Sequence, residues 1–141
     1  MKISIINGPN LNLLGKREVD IYGGETFESF FAELKKKHPT VSIEYFQSNV
    51  EGELIDEIQR TGFDFDGIIF NPGGYTHTSV AIGDAIAAIT TPVIEVHISN
   101  IFSREEFRKL SHVSGKAKGV ISGLGVKGYE LALDWFTGIQ L

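Results

Sequence analysis

The sequence predicts an α/β fold, a parallel sheet with helices on both faces, in one domain spanning residues 1–141. Short β-branched runs recur five times, and segments with helical spacing of apolar residues fall between them. Strand then helix, repeated, calls for parallel strands joined by crossovers, because each helix buries one stripe against the sheet. With 141 residues, 42% of them hydrophobic, the chain can fill one core near the commonest domain size but not two.

Lys2 to Asn7 is the first predicted strand. A crossover helix follows, with Phe27, Phe30, Phe31 and Leu34 on one stripe after a Thr26 cap. Val41 to Gln47 is the second strand, then a helix near Glu53 to Gln59, a third strand Gly67 to Asn71, and a helix near Ser79 to Ile89. Pro92 to Ile98 is the fourth strand. A helix is expected over Glu105 to Ser111, where Ser103 and Glu106 have capping-box spacing. Gly119 to Ser122 and a helix over Gly128 to Phe136 complete the set. The order 2-1-3-4-5, common for five doubly wound strands, opens a crevice at the carboxyl ends of strands one and three, where ligands bind. The segments arriving there are the long Asn7 to Glu25 loop, Asn71 to Thr78, and His97 to Asn100.

Composition removes several function classes. Lys plus Arg number 13 against 18 Asp plus Glu, a net charge of −5, and no basic run exceeds Lys35 to Lys37, so no nucleic-acid partner is expected. The first residues, MKISIINGPN, are interrupted by Asn7 and Pro9, and no later run reaches membrane-spanning length, so no membrane partner and a cytoplasmic location are expected. The absence of cysteine rules out disulfides, thiolate metal sites and cysteine nucleophiles.

Gly123-Leu124-Gly125-Val126-Lys127-Gly128 sits between a predicted strand and helix, as a dinucleotide fingerprint would. That fingerprint also needs a further strand and an acidic ribose contact about 20 residues on, which the sequence lacks. The string therefore reads as a glycine turn, although a flavin- or nucleotide-binding module stays compatible with the fold. His77, Thr78, Ser79 and Asp84 supply the residue types of a hydrolase triad, but no Gly-x-Ser-x-Gly elbow surrounds Ser79, which reads as a helix cap. His77 and His97 lack metal-ligand spacing, and no metal is expected. His38, at a helix end, reads as a solvated residue complementing the dipole, and His112 as a surface or packing residue.

The run Glu95-Val96-His97-Ile98-Ser99 is more informative, because period two puts Glu95, His97 and Ser99 on one face. A carboxylate beside an imidazole fixes its tautomer and favours its charged form. Alone, the pair also fits a satisfied core histidine; its place at a strand's carboxyl end points to a ligand site. Arg17 and Tyr22 share the long loop with Asn10 and Asn12. A free phenol, with a pKa of about 10, is a poor base at neutral pH, and a guanidinium nearby lowers it. Such a pair, with His97 as acid, suits removal of a carbon-bound proton and loss of a hydroxyl, which is an elimination. The plain alternative is that Tyr22 packs the loop down.

Several blocks then match a known family in order. Asn7-Gly-Pro-Asn-Leu-Asn-Leu-Leu-Gly15, Arg17-Glu18 and Ile21-Tyr22-Gly23 resemble the opening of type II 3-dehydroquinate dehydratases. Asn71-Pro72-Gly73-Gly74-Tyr75-Thr76-His77-Thr78-Ser79 is similar to their second block, and Glu95 to Asn100 with Arg104-Glu105 and Phe107-Arg108 to their third. Gly119 to Gly125 and Gly128-Tyr129 resemble the final strand and helix.

The resemblance implies a flavodoxin-like fold and a single catalytic domain without cofactor or metal. It implies the shikimate-pathway conversion of 3-dehydroquinate to 3-dehydroshikimate through an enolate, without a Schiff base. Carried onto matching positions, Tyr22 is the base, Arg17 holds it as phenolate, and Asn10 positions a water at the enolate oxygen. His97, oriented by Glu95, is the acid. Substrate binding falls to Asn71, His77, Ile98, Ser99 and Arg108, with Ser99 and the following helix start suited to an anion. Asp84 reaches a neighbouring subunit's site, in trimers that gather into a homododecamer, and the loop of Arg17 and Tyr22 acts as a lid. Val19, Gly83 and Phe102-Ser103 depart from the family pattern without removing a catalytic group; Val19 bears on lid stiffness and Gly83 on packing around Asp84.

Overall fold

A computed structural model of the chain describes residues 1–16, 20 and 24–138. Five parallel strands, β1 (Lys2–Asn7), β2 (Ser42–Gln47), β3 (Gly67–Asn71), β4 (Val93–His97) and β5 (Gly119–Ser122), form one sheet in the order β2-β1-β3-β4-β5. Three α-helices cross over between the first four strands, α1 (Phe27–Lys37), α2 (Glu51–Thr61) and α3 (Val80–Ala88), and α4 (Lys127–Thr137) follows β5. This is the expected doubly wound, flavodoxin-like topology, and among the described residues no helix is long and apolar enough to cross a membrane.

Alternation along β1 decides which helix covers which face. Ile3 and Ile5 point to one side, where Phe27, Phe30 and Leu34 of α1 meet Tyr129, Ala132 and Leu133 of α4. Ile6 points to the other, against Leu54 and Ile58 of α2 and Ile82 and Ile86 of α3. Each such side chain, wholly buried, contributes roughly 1.5–3 kcal/mol of transfer free energy. Thr26 caps α1 by accepting the backbone N–H of Ser29 at 3.2 Å. Ser79 caps α3 by accepting that of Ile82 at 3.0 Å, and donates its own proton to Glu51 at 2.5 Å. That hydroxyl is committed to structure, which removes the hydrolase reading.

Two local expectations are corrected. The predicted helix over Glu105 to Ser111 is instead one short 3-10 turn, Glu106–Lys109, preceded by another at Ile101–Ser103. The Glu106–Lys109 turn has no side-chain cap from Ser103 or any other residue; Asn100 Oδ1 caps the earlier turn by accepting the Phe102 N–H. Phe102, Phe107 and Leu110 are all exposed, so no apolar stripe drives an α-helix, and the segment follows the tertiary contacts of its ends. His38 does cap α1 through its backbone, but its side chain is only 12% exposed, with Nε2 at 3.8 Å from Glu130 and 3.9 Å from Asp134. The covering comes from α4, which no local pattern announces.

Candidate active site

Register brings the carboxyl ends of the central strands to one edge: Asn7 pairs with Asn71, and Phe70 with Glu95. Beyond that edge lies a cleft of about 320 Å³, lined by Asn10, Asn71, His77, His97, Ile98, Ser99 and Arg108, as expected. Arg104, Glu105 and the apolar Leu11, Leu13, Leu14 and Ile101 also line it and were not singled out. Asp84 is exposed on α3, outside the cleft. Arg17 and Tyr22 lie outside the described residues.

His97 meets Glu95 in the same strand, Nε2 to Oε2 at 2.5 Å. The fully buried Glu95 carboxylate accepts the hydrogen bond of the Nε2–H, which leaves Nδ1 for the cleft. Three hydroxyls complete its surroundings: Thr76 donates to Oε2 at 2.6 Å, Ser114 to Oε1 at 2.5 Å, and Ser111 stands 2.7 Å behind Thr76. Burial by itself would raise the Glu95 carboxyl, but the hydrogen bond and charge of His97, with Ser114 and Thr76, hold it below its ordinary value. These hydroxyls escaped the sequence reading because they arrive from other segments. The signal for them was a glutamate in the middle of an apolar strand, which must find donors.

His77 stacks near His97, ring centroids 6.4 Å apart, and its Nδ1 donates to the Leu110 carbonyl at 2.6 Å. Asn71 is tied on both sides: Nδ2 donates to the Tyr129 hydroxyl at 2.9 Å, and Oδ1 accepts from the Gly73 N–H at 3.0 Å. Tyr129 in turn donates to Asn7 Oδ1 at 2.8 Å. Asn10 has a left-handed backbone, φ 70°, the only positive φ outside glycine among the described residues. Its N–H is held by Asn49 Oδ1 at 3.0 Å, and such strain clusters at functional sites.

Also lining the cleft, Arg108 pairs with Glu105 and lies over the Phe107 ring, while Arg104 Nη1 donates to Ser99 Oγ at 3.2 Å. Two guanidiniums lining one cleft suit a carboxylate ligand. The helix start expected after Ser99 is only the turn Ile101–Ser103, too short to present a helix dipole. The glycine string closes on the same edge. Gly123, at φ +93°, donates its N–H to the His97 carbonyl at 3.1 Å, and Gly125 to that of Ile98 at 3.0 Å. Those N–H groups brace the end of β4 and are not free for a pyrophosphate. Among the described residues, no three His, Asp or Glu side chains gather as a metal site would require.

Fold and site together define a doubly wound α/β domain with an acid-base cleft at its carboxyl edge. Residues 1–137 match the family described as dehydroquinase class II, and the chain belongs to that family. It is 50% identical over 140 residues to a 3-dehydroquinate dehydratase of Prochlorococcus marinus (strain MIT 9301), covering 98% of this chain and 95% of that one. It is 53% identical over 135 residues to a 3-dehydroquinate dehydratase of Campylobacter jejuni subsp. jejuni serotype O:23/36 (strain 81-176), covering 94% and 85%. The type II dehydroquinase structure from Butyrivibrio crossotus DSM 2876 superposes with a TM-score of 0.93 at 48% identity, covering 97% of each chain.

Proposed function

We propose that this chain is a single catalytic domain that dehydrates 3-dehydroquinate to 3-dehydroshikimate in the shikimate pathway, in the cytoplasm. The observation that carries this is the buried Glu95 fixing His97 so that Nδ1 faces a cleft that Arg104 and Arg108 also line. A neutral flavin or nucleotide module has no use for that pair.

Elimination needs a base and an acid on opposite sides of one carbon–carbon bond. The base removes the proton next to the ketone, its electrons form the enolate, and the enolate's collapse expels the hydroxyl as the doubly protonated ring of His97 hands it the Nδ1 proton and keeps the Nε2 proton directed at Glu95. Tyr22 is the base and Arg17 keeps it ionised. Supporting this, the other tyrosines are unsuited: burial pushes the Tyr45 phenol up to about 12 against the pull of Asn7, and raises Tyr129 further. Tyr75 donates its hydroxyl to the Asn49 carbonyl at 2.9 Å. Asn10 positions a water at the enolate oxygen, while Asn71, His77, Ile98, Ser99 and Arg108 bind hydroxyls and carboxylate. Asp84 serves a neighbour's site in a trimer, and trimers assemble into a dodecamer; both Asp84 and Val80, one turn apart on α3, are exposed, which supports a contact there.

The test is ultraviolet absorbance of the conjugated enone after purified protein meets 3-dehydroquinate, with chelator present and after borohydride treatment. Absorbance should grow in both, and it should be lost in Tyr22→Phe and His97→Ala. A flat trace from folded wild-type protein would sink the proposal.

A further inference from the structure

The Glu95 carboxylate is held by a directional set of hydrogen bonds whose sense follows from counting protons. Ser111 Oγ accepts the backbone N–H groups of Val113 at 3.0 Å and Ser114 at 2.9 Å, so its own proton is left for Thr76 Oγ1 at 2.7 Å. The single Thr76 proton then goes to Glu95 Oε2 at 2.6 Å, next to the Nε2 proton of His97. Ser114 supplies Oε1 at 2.5 Å. Every group donates toward Glu95. A protonated carboxyl would set two hydrogens face to face or force the chain to reverse as far as Ser111.

We propose that Thr76 and Ser114 are positioning residues for the reaction: their hydroxyls lock Glu95 as an ionised, single-rotamer acceptor of the His97 Nε2 proton, which turns Nδ1, the nitrogen that carries the second proton delivered to the leaving hydroxyl, to the substrate. The proposal rests on the reading of His97 as the acid. The same segment that carries Ser111 and Ser114 also serves the other histidine. The His112 N–H donates to the Thr76 carbonyl at 2.7 Å, and Leu110 supplies the carbonyl that His77 Nδ1 meets at 2.6 Å. One short stretch, residues 110–114, thus sets the tautomers of both cleft histidines.

The titratable groups facing Glu95 are His97 on its own strand and His77 on the turn after β3, with Arg108 acting on His77 from the turn Glu106–Lys109. The neighbouring strands offer only Phe70 and Val120 in register. Burial raises the Glu95 carboxyl and the Ser114 and Thr76 hydroxyls, after His97, pull it down, so losing a hydroxyl lets Glu95 take up a proton at higher pH.

The experiment compares Ser114→Ala and Thr76→Val with the hydroxyl-retaining Ser114→Thr and Thr76→Ser. Two readouts are taken: the pH profile of kcat/KM on 3-dehydroquinate, and the His97 tautomer by nitrogen-15 NMR. Ser114→Ala and Thr76→Val should lose roughly tenfold to a hundredfold in kcat with KM little changed. Their acid limb should move to higher pH by about one unit, and the His97 signal should leave the Nε2–H tautomer. The hydroxyl-retaining pair should restore all three. Folded variants with the wild-type limb and tautomer, or with an equal loss at every pH, would overturn the proposal. If the wild type itself lacks dehydratase activity, the functional reading fails while the tautomer measurement still decides this one.

Discussion

His77 Nδ1 lies 2.6 Å from the Leu110 carbonyl oxygen, and this contact fixes which ring nitrogen the cleft sees. A carbonyl only accepts, so Nδ1 carries the proton and Nε2 offers a lone pair. Burial, aided by the charges of His97 and Arg108, holds the ring's pKa below 6.5, outweighing the Leu110 bond and the pull of Glu95. The neutral ring is therefore the form present at neutral pH.

It follows that KM should be flat above pH 6.5, the ordinary value for histidine, and rise only well into the acid range as His77 protonates. The stability sign agrees: with the folded pKa depressed, the unfolded chain binds the proton first, so stability falls as pH drops below 6.5. His77→Asn keeps a donor toward Leu110 but removes the acceptor. Its KM should rise about tenfold, with kcat within a few-fold, in steady-state assays.

Glu95→Gln replaces an acceptor by an amide that presents hydrogens to at least one of three donors. Turnover should drop by about a hundredfold, and stability by roughly 1–3 kcal/mol, because buried groups lose their partners. The wild-type carboxyl titrates below its ordinary 4.5, so its stabilisation is complete above that pH and drains away as pH falls through the lower folded value. Melting curves across acid pH should consequently be flatter for Glu95→Gln than for the wild type; parallel curves would contradict the ionised state.

Legibility in the sequence tracked how local each determinant is. Ile3, Ile5 and Ile6 alternate, and Phe27, Phe30 and Leu34 repeat at helical spacing, so strands and helices were readable to within a residue or two. The pair Glu95 and His97 was readable because period two acts within one strand. The segment holding Arg104 and Arg108 was read as a helix from its cap spacing. Its shape is set by the His112 to Thr76 and His77 to Leu110 bonds, which join distant residues. The same distance hid Thr76, Ser111 and Ser114 from the reading of Glu95.

Gly83 carries a constraint of that nonlocal kind. A β-carbon there would lie 2.3 Å from the His112 carbonyl oxygen, so α3 and residues 110–114 touch only because the position is glycine. Gly83→Ala should push that stretch outward, cost about 1–3 kcal/mol, and lower kcat by displacing Ser114 from Glu95 and Ser111 from Thr76. Gly115→Ala is the control. Nothing lies within 4 Å of a β-carbon at that position, and its melting temperature and kcat should match the wild type.

Tyr129 reaches from α4 to Asn71, which lines the cleft, and its buried hydroxyl serves both Asn71 Nδ2 and Asn7 Oδ1. Tyr129→Phe leaves those two buried groups without this partner and should cost roughly 1–3 kcal/mol in chemical denaturation. Asn71 keeps its bond to the Gly73 N–H, so its amide should swing without leaving the cleft. Substrate affinity should weaken several-fold while kcat stays, since neither the acid nor its carboxylate touches this network. An unchanged KM in a destabilised Tyr129→Phe would mean that Asn71 braces the strand ends and does not bind substrate.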